Sequence, residues 1–284
     1  MGLEMDERYV QAFWNAHPCG QELVGTTGAD FEEFLCRYDA FRYNESKHIL
    51  KYLDALPLKG KRVLEIGLGL GADSEQIIRR GAIYSGVDLT TESVSRVKCR
   101  LRLRGLAYEQ LLVGSACCLP FVSSSFDIVF SHGVLHHIPL IGIAQAEIKR
   151  VLRPQGRLIA MLYAKYSLNY LLSICILRRA ALALMYYLPV QPGGKVGQHL
   201  ASARASGIFS YLRIRNFVHK NTDGPLNPYS KVYSLREVKR DFPAFKVLAA
   251  HKEFMHAPPL PVAWMPLKRV LGWHLWIELG ANAI

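Results

Sequence analysis

The chain has 284 residues, half of them hydrophobic and 20% charged, with 35 basic against 23 acidic side chains and a formal net charge of +12. That length supports one large domain with a real core, and the composition excludes disordered, collagen-like and low-complexity chains. The excess of base suits an anionic ligand, a membrane surface or nucleic acid, or is simply a basic solvated face.

The N-terminal MGLEMDERYV carries acids where a signal peptide needs bases and lacks an apolar stretch behind them, so no secretory leader is expected. Asp6 stands where a myristoylation motif needs Ser or Thr. Six cysteines (Cys19, Cys36, Cys99, Cys117, Cys118 and Cys175) show no CxxC spacing. Neither a zinc site nor a disulfide framework is expected, and a reducing cytoplasmic compartment follows. Residues 1–60 are expected to form an N-terminal helical segment, with the amphipathic FEEFLCRYDAF at 31–41.

From Lys61 onward strands and helices alternate. KRVLEIG (61–67) is a strand ending in glycines, and 73–80 a helix stopped by Gly81. A strand at 82–88 leads to a helix at 91–104, capped by Thr90 or Thr91 and stopped by Gly105. Further strands are expected at 109–113, 126–131 and 156–162, with a helix at 140–152 that Pro154 prevents from continuing. Regular alternation implies βαβ units, a parallel sheet covered on both faces, and a ligand crevice at the carboxyl ends of its strands.

After Leu162 the alternation stops. LNYLLSICILRRAALALMYYL (168–188) is apolar enough to suggest a membrane span, but Arg178 and Arg179 fall at its centre. Two central arginines cost roughly 5–7 kcal/mol on insertion scales, so a buried or interfacial helix fits better. A Gly/Pro break at 191–194, a basic segment at 211–220 and a turn-rich stretch at 221–228 follow. Ser234 and Glu237 have capping-box spacing. FKVLAAHKEF (245–254) and WHLWIELG (273–280) read as two late strands. The expected organisation is therefore a helical segment at 1–60, an α/β core at 61–163, a helical cap at 164–244, and two final strands at 245–284 that complete the core.

Glu65-Ile-Gly67-Leu-Gly69-Leu-Gly71-Ala72 joins the first strand to the first core helix. Glycines let backbone approach a ligand closely, and the helix start offers free N–H groups. Gly67, Gly69 and Ala72 also satisfy the dinucleotide fingerprint. Asp88, ending the next strand, can accept both hydroxyls of a ribose. These residues specify an adenosine ligand without saying which one. Glu65 beside the loop favours a cationic ligand group over a pyrophosphate.

Six segments taken together carry a resemblance. EIGLGLG (65–71), Val87-Asp88, CLPF (118–121), SFDIV (125–129), GVLHH (133–137) and LRPQG (152–156) resemble, in order and spacing over about 61–162, the successive motifs of class I S-adenosylmethionine-dependent methyltransferases. The small-molecule, type 11 branch is the nearest likeness. FWNAHPCG (13–20) resembles N-terminal segments of some members. The resemblance implies a Rossmann-like, seven-stranded, mostly parallel sheet with an antiparallel last strand and a helical cap. It implies S-adenosylmethionine as cofactor and transfer of its methyl group to a small molecule.

The resemblance also implies the site. Glu65, Gly67, Gly69 and Gly71 would cradle the methionyl and ribose part, Asp88 the ribose hydroxyls, and Leu89 the adenine face. Ser131 and His132 would lie beside the methionine moiety. The family commonly places an acid after the third strand, in a Gly-Asp-Ala pattern, to accept from the adenine amino group. Here the run is Gly114-Ser115-Ala116, so the Ser115 hydroxyl would accept instead, without charge assistance.

A substrate hydroxyl, amine or thiol needs a base, and histidine is the first choice. His136 and His137 are the candidates, with a scaffold role the alternative for either. His17 and Tyr43 near the entry, and Tyr211, Arg215 and Tyr229 from the cap, are candidate substrate contacts. Tyr186, Tyr187, Arg213 and His219 are further cap residues of the same type. The apolar stretch at 168–188 suggests a lipophilic or aromatic substrate and a peripheral membrane contact. No metal is expected. An RNA or protein methyltransferase, and a non-catalytic nucleotide-binding protein, remain the alternatives, although no RNA-binding module is present in the sequence.

Overall fold

The computed structural model describes residues 7–17 and 31–282. Among the described residues, three helices precede the sheet: α1 (Glu7–Ala16), α2 (Phe31–Glu45) and α3 (His48–Asp54). The alternating region gives β1 (Arg62–Ile66), α4 (Ala72–Arg79), β2 (Ile83–Asp88), α5 (Thr91–Leu103), β3 (Gln110–Val113), β4 (Phe126–His132), a short 3₁₀ turn (Leu135–His137), α6 (Ile141–Val151) and β5 (Leu152–Ala164). Thr90 is the N-cap of α5, its hydroxyl accepting from the Ser93 amide, so the first of the two candidate caps is used.

The sheet order is β3-β2-β1-β4-β5-β8-β7, with β7 at Phe245–Glu253 and β8 at His274–Ala281. β1 to β5 pair in parallel, and β8 runs antiparallel to both β5 and β7. An eighth strand, the two-residue β6 (Val232–Tyr233), pairs in parallel beside the C-terminal end of β5 and was not anticipated. The architecture is the expected α/β sheet with one antiparallel strand.

Alternating residues send apolar side chains to opposite faces of the sheet. Leu64, Ile66 and Val129 pack one way, against Ala144, Ile148 and Val151 of α6. Val63, Ile128, Phe130 and Trp276 pack the other way, against Ile49 and Leu53 of α3, Ile77 of α4, and Val94, Val97 and Leu101 of α5. Each such buried side chain contributes about 1.5–3 kcal/mol. Buried Arg100 of α5 pairs with Glu75 at 2.9 Å and Asp39 at 2.5 Å, tying the N-terminal helices to the core.

The cap begins with a π-helical stretch, Asn169–Arg178, that runs straight into α7 (Arg179–Tyr187). Then come α8 (Gly194–Ser206), α9 (Ile208–Tyr211) and α10 (Ile214–Lys220), which share an apolar centre of Ile174, Leu182, Leu200, Tyr211 and Phe217. Arg178 turns inward and donates to the carbonyls of Asn221 and Pro258. Its charge is thus held by protein, which explains how an arginine sits mid-helix. The expected capping box forms at Ser234 and Glu237 and starts α11 (Leu235–Asp241). α12 (Lys268–Leu271) precedes β8.

Candidate functional site

Strand order reverses between β1 and β4, and a cavity of about 290 Å³ opens at their carboxyl ends. Its floor is the glycine loop. Gly67 has φ +82° and donates its N–H to the Val87 carbonyl; a Cβ there would lie 2.2 Å from a Val134 methyl. Gly69 has φ +52°, lines the cavity, and a Cβ on it would meet nothing within 4 Å. It is a cradle that only a missing side chain leaves open. Gly71 does not line the cavity. It sits at φ +76° as the N-cap of α4, where a Cβ would press on Val97 and Arg100, so its role is to let α4 and α5 pack closely.

Three carboxyls surround this floor. Asp88 accepts from the Leu68 amide at 2.7 Å, and from the Thr90 amide at 2.8 Å and hydroxyl at 2.7 Å. Burial raises its pKa, and these hydrogen bonds oppose the rise. Glu65 is buried and accepts from the Ser74 and Tyr84 hydroxyls at 2.5 Å each. Burial, reinforced by the Asp73 charge, pushes its carboxyl up to about 8.

Asp73, in the first turn of α4, goes the other way. Burial raises its pKa, but Arg42 and His132, through charge and hydrogen bonds together, outweigh that and hold the carboxyl well below the usual range. Arg42 of α2 lies 2.5 Å away and His132 Nδ1 2.6 Å away. A carboxylate only accepts, so Nδ1 carries its proton toward Asp73. The 2.8 Å approach of Arg42 to the same nitrogen is then a packing contact. The loop thus meets three carboxyls, a set of acceptors that fits an ammonium and ribose hydroxyls rather than a diphosphate.

Helix α1 lies across the cavity. Glu7, Val10 and Trp14 line it. Gln11 donates to the Leu89 carbonyl at 2.7 Å, and Trp14 meets His137 edge-on at 5.1 Å. Glu7 accepts from the Ser115 hydroxyl at 2.6 Å, while that hydroxyl accepts from the Cys117 amide at 2.9 Å. Ser115 therefore does not line the cavity; it positions Glu7, which does. The acid missing from the Gly-Ser-Ala run is delivered from another element.

At the other end lie His132, Gly133, Val134, His137, Ile138, Pro139, Met161 and Tyr163. His137 Nδ1 is 2.8 Å from the Tyr229 carbonyl, which fixes the proton on that nitrogen. Nε2 is then an acceptor, and in the neutral ring it has no hydrogen-bond partner. It lies 3.4 Å from an Asp223 carboxylate oxygen, an approach that becomes an ion pair once the ring takes a second proton. The other Asp223 oxygen accepts from the Tyr163 hydroxyl at 2.8 Å. A histidine, the carbonyl it donates to and a carboxylate thus lie together at one wall.

Several expected residues stand elsewhere. His136 does not reach the cavity: it is fully buried, 3.9 Å centroid to centroid from the Tyr163 ring, and burial drives it well below the usual histidine range. Ser131 is spent on the Ile66 carbonyl, bridging β4 to β1. His17 stacks on Phe13 and bonds its carbonyl. Tyr43 stands behind Asp73, at 3.4 Å. Tyr211 is core to the cap. Arg215, His219 and Tyr229 line a separate cavity on the cap, and Tyr229 serves the first cavity through its backbone alone. Arg213 and Tyr187 are exposed. Glu65, Gly67, Gly69, Asp88, Leu89, Ala116, His132 and His137 do line the first cavity together.

Glu7, Trp14, Arg42, Asp73, Tyr163 and Asp223 escaped the sequence reading. Only Asp73, an acid in the first turn after a glycine loop, carried a local signal.

Residues 64–160 match the Methyltransferase domain family. The chain is 37% identical over 101 residues to a fatty-acid O-methyltransferase of Mycolicibacterium smegmatis, covering 35% of this chain and 36% of that protein. It is 28% identical over 211 residues to a probable phthiotriol/phenolphthiotriol dimycocerosates methyltransferase 2 of Mycobacterium ulcerans, covering 72% and 68%. The first of these alignments thus spans about a third of that relative's length. An S-adenosylmethionine-dependent methyltransferase structure from Methanosarcina mazei shares the fold, with TM-score 0.54, 15% identity and coverage of 82% and 98%. One from Mesorhizobium loti gives 0.52, 15%, 83% and 97%.

Proposed function

We propose, on the premise that residues 64–160 are a methyltransferase domain of the class I S-adenosylmethionine-dependent type, that this chain methylates a small lipophilic molecule. The observation that carries the proposal is a single cavity with two unlike ends. One end joins the Gly67–Gly69 floor to the Asp88, Glu65 and Asp73 carboxyls; the other is lined by the His137 ring together with Trp14, Val134, Ile138 and Tyr163.

When bound, S-adenosylmethionine supplies a methyl group already activated by the sulfonium charge. Asp88 would hold the ribose hydroxyls. Glu65 and Asp73 would face the ammonium, and Arg42 the carboxylate of the methionyl part. Leu89 and Ala116 would flank the adenine, with Glu7 accepting from its amino group.

The chain's remaining work is positioning and proton removal. For a hydroxyl acceptor, His137 Nε2 takes the proton, and Asp223 stabilises the resulting imidazolium. For a carboxylic acid, already ionised near neutral pH, no base is required. The apolar wall around His137 and the names of the two mycobacterial relatives support a lipophilic acceptor. The compartment is proposed to be cytoplasmic.

Incubation with S-adenosylmethionine labelled on its methyl group and a panel of long-chain fatty acids and phenolic lipids tests the proposal. Label extracted with the lipid supports it. Label transferred only to RNA or protein in the same extract contradicts it.

A further inference from the structure

The outer face of the cap carries a pattern that neither the core nor the cavity uses. Along the helix Asn169–Tyr187 the exposed positions are Leu171, Ile176, Ala180, Ala181, Leu184 and Tyr187, and among them Leu171, Ile176, Ala180 and Leu184 form a regularly spaced apolar series that exposed Leu188 continues at the helix end. The first step is five residues, within the π-type segment, and the later ones are four. Those are the spacings that keep side chains on one face of each helix type. Leu184 is 64% exposed, and only 17% of the most apolar window of this helix is buried. The stripe is about 25 Å long at helical rise. On the neighbouring helices Phe209 is 82% exposed, and Val196 is exposed as well.

Charge says what covers it. From 165 to 222 the sequence holds eight basic residues and no acidic one. Arg178 is turned inward, but Lys195, Arg204, Arg213 and Arg215 are exposed. Two copies packed cap to cap would set base against base, which disfavours self-association. A nucleic acid would answer the charge and leave the apolar stripe in water. A bilayer with anionic headgroups satisfies both: acyl chains receive the leucines and the phenylalanine, and headgroup phosphates receive the lysine and arginines.

We infer that the stripe Leu171–Leu188 and its basic surround dock this protein, in the plane of the interface, on an anionic lipid bilayer. The helix does not cross it, because its other side is committed to Ile174, Leu182 and the inward Arg178.

The test is co-sedimentation of the full chain with phosphatidylcholine vesicles, with and without phosphatidylglycerol, at low and high salt. Binding is expected only with the anionic vesicles, and weakened by salt. Leu171→Glu/Leu184→Glu should lower the partition coefficient roughly tenfold or more, with an unchanged melting temperature and unchanged S-adenosylhomocysteine affinity. Failure here therefore differs from failure of the cofactor reading. No vesicle binding, or wild-type partition of the double variant, overturns the inference. So does a dimer in sedimentation velocity that the double variant abolishes, or salt-sensitive RNA binding that vesicles do not displace.

Discussion

Substituting alanine at Gly69 and at Gly67 separates a ligand cradle from a structural turn. Both residues have positive φ, at +52° and +82°, where a side chain costs about 1–2 kcal/mol. Losing glycine's freedom in the unfolded chain returns about 0.4–1 kcal/mol. At Gly69 nothing lies within 4 Å of the new methyl, so the net loss is about 1 kcal/mol. That corresponds to a melting temperature roughly 2–4 °C lower. The methyl would project from the cavity floor and displace the ligand. If the cost resembles overpacking, about 1–3 kcal/mol, S-adenosylhomocysteine affinity falls roughly 5- to 150-fold. At Gly67 the methyl would sit 2.2 Å from Val134 Cγ2, adding an overpacking cost to stability and lowering it by about 2–4 kcal/mol in all. Thermal unfolding and calorimetric titration with S-adenosylhomocysteine read the two effects separately. Wild-type affinity in Gly69→Ala would show that the loop does not touch the ligand, and would refute the reasoning.

Four further outcomes are expected. Asp88→Asn removes a charged acceptor worth about 1.5–3 kcal/mol and should weaken S-adenosylhomocysteine binding roughly 10- to 150-fold, with some loss of stability because the Leu68 and Thr90 amides share the carboxylate. With its carboxyl pushed up to about 8, Glu65 is mostly protonated at pH 7. Binding an ammonium beside it favours the charged form, so affinity rises from pH 6 to 8 and close to one proton is released at pH 7. Calorimetry in buffers of different ionisation enthalpy measures that release, and Glu65→Gln should abolish it. Glu7→Gln should narrow the preference for S-adenosylhomocysteine over its 6-oxo (inosine) analogue, whereas an unchanged ratio would remove Glu7 from the adenine site. His137→Asn should lower kcat for a hydroxyl acceptor by roughly 10²–10⁴ and leave both cofactor affinity and carboxyl-acceptor turnover in place.

The core was readable because its signals are local. A β-branched run, a glycine loop and an acid at the next strand end lie within one βαβ unit, so Glu65, Gly67, Gly69 and Asp88 reach the cavity by chain order alone. The rest of the site is assembled by packing. Arg42 arrives because Arg100 and Asp39 pin α2 to α5; Glu7 and Trp14 arrive because Gln11 fastens α1 to the end of β2. Asp223 comes from a cap loop 86 residues beyond His137, the histidine it faces (223 − 137). No periodicity marks such residues. The histidine pair shows the converse limit: the two are adjacent on a 3₁₀ turn and both buried, yet His136 packs on Tyr163 away from the cavity while His137 lines it. The cap tyrosines were misplaced for a related reason, since an aromatic in a helical region serves the cap's own core at least as readily as a pocket.

The most direct test is calorimetric titration of the purified chain with S-adenosylhomocysteine and, separately, with NAD⁺. Saturable one-to-one binding of the first and none of the second is predicted. Saturation by NAD⁺, or by neither, would contradict a cavity shaped for a sulfonium nucleoside.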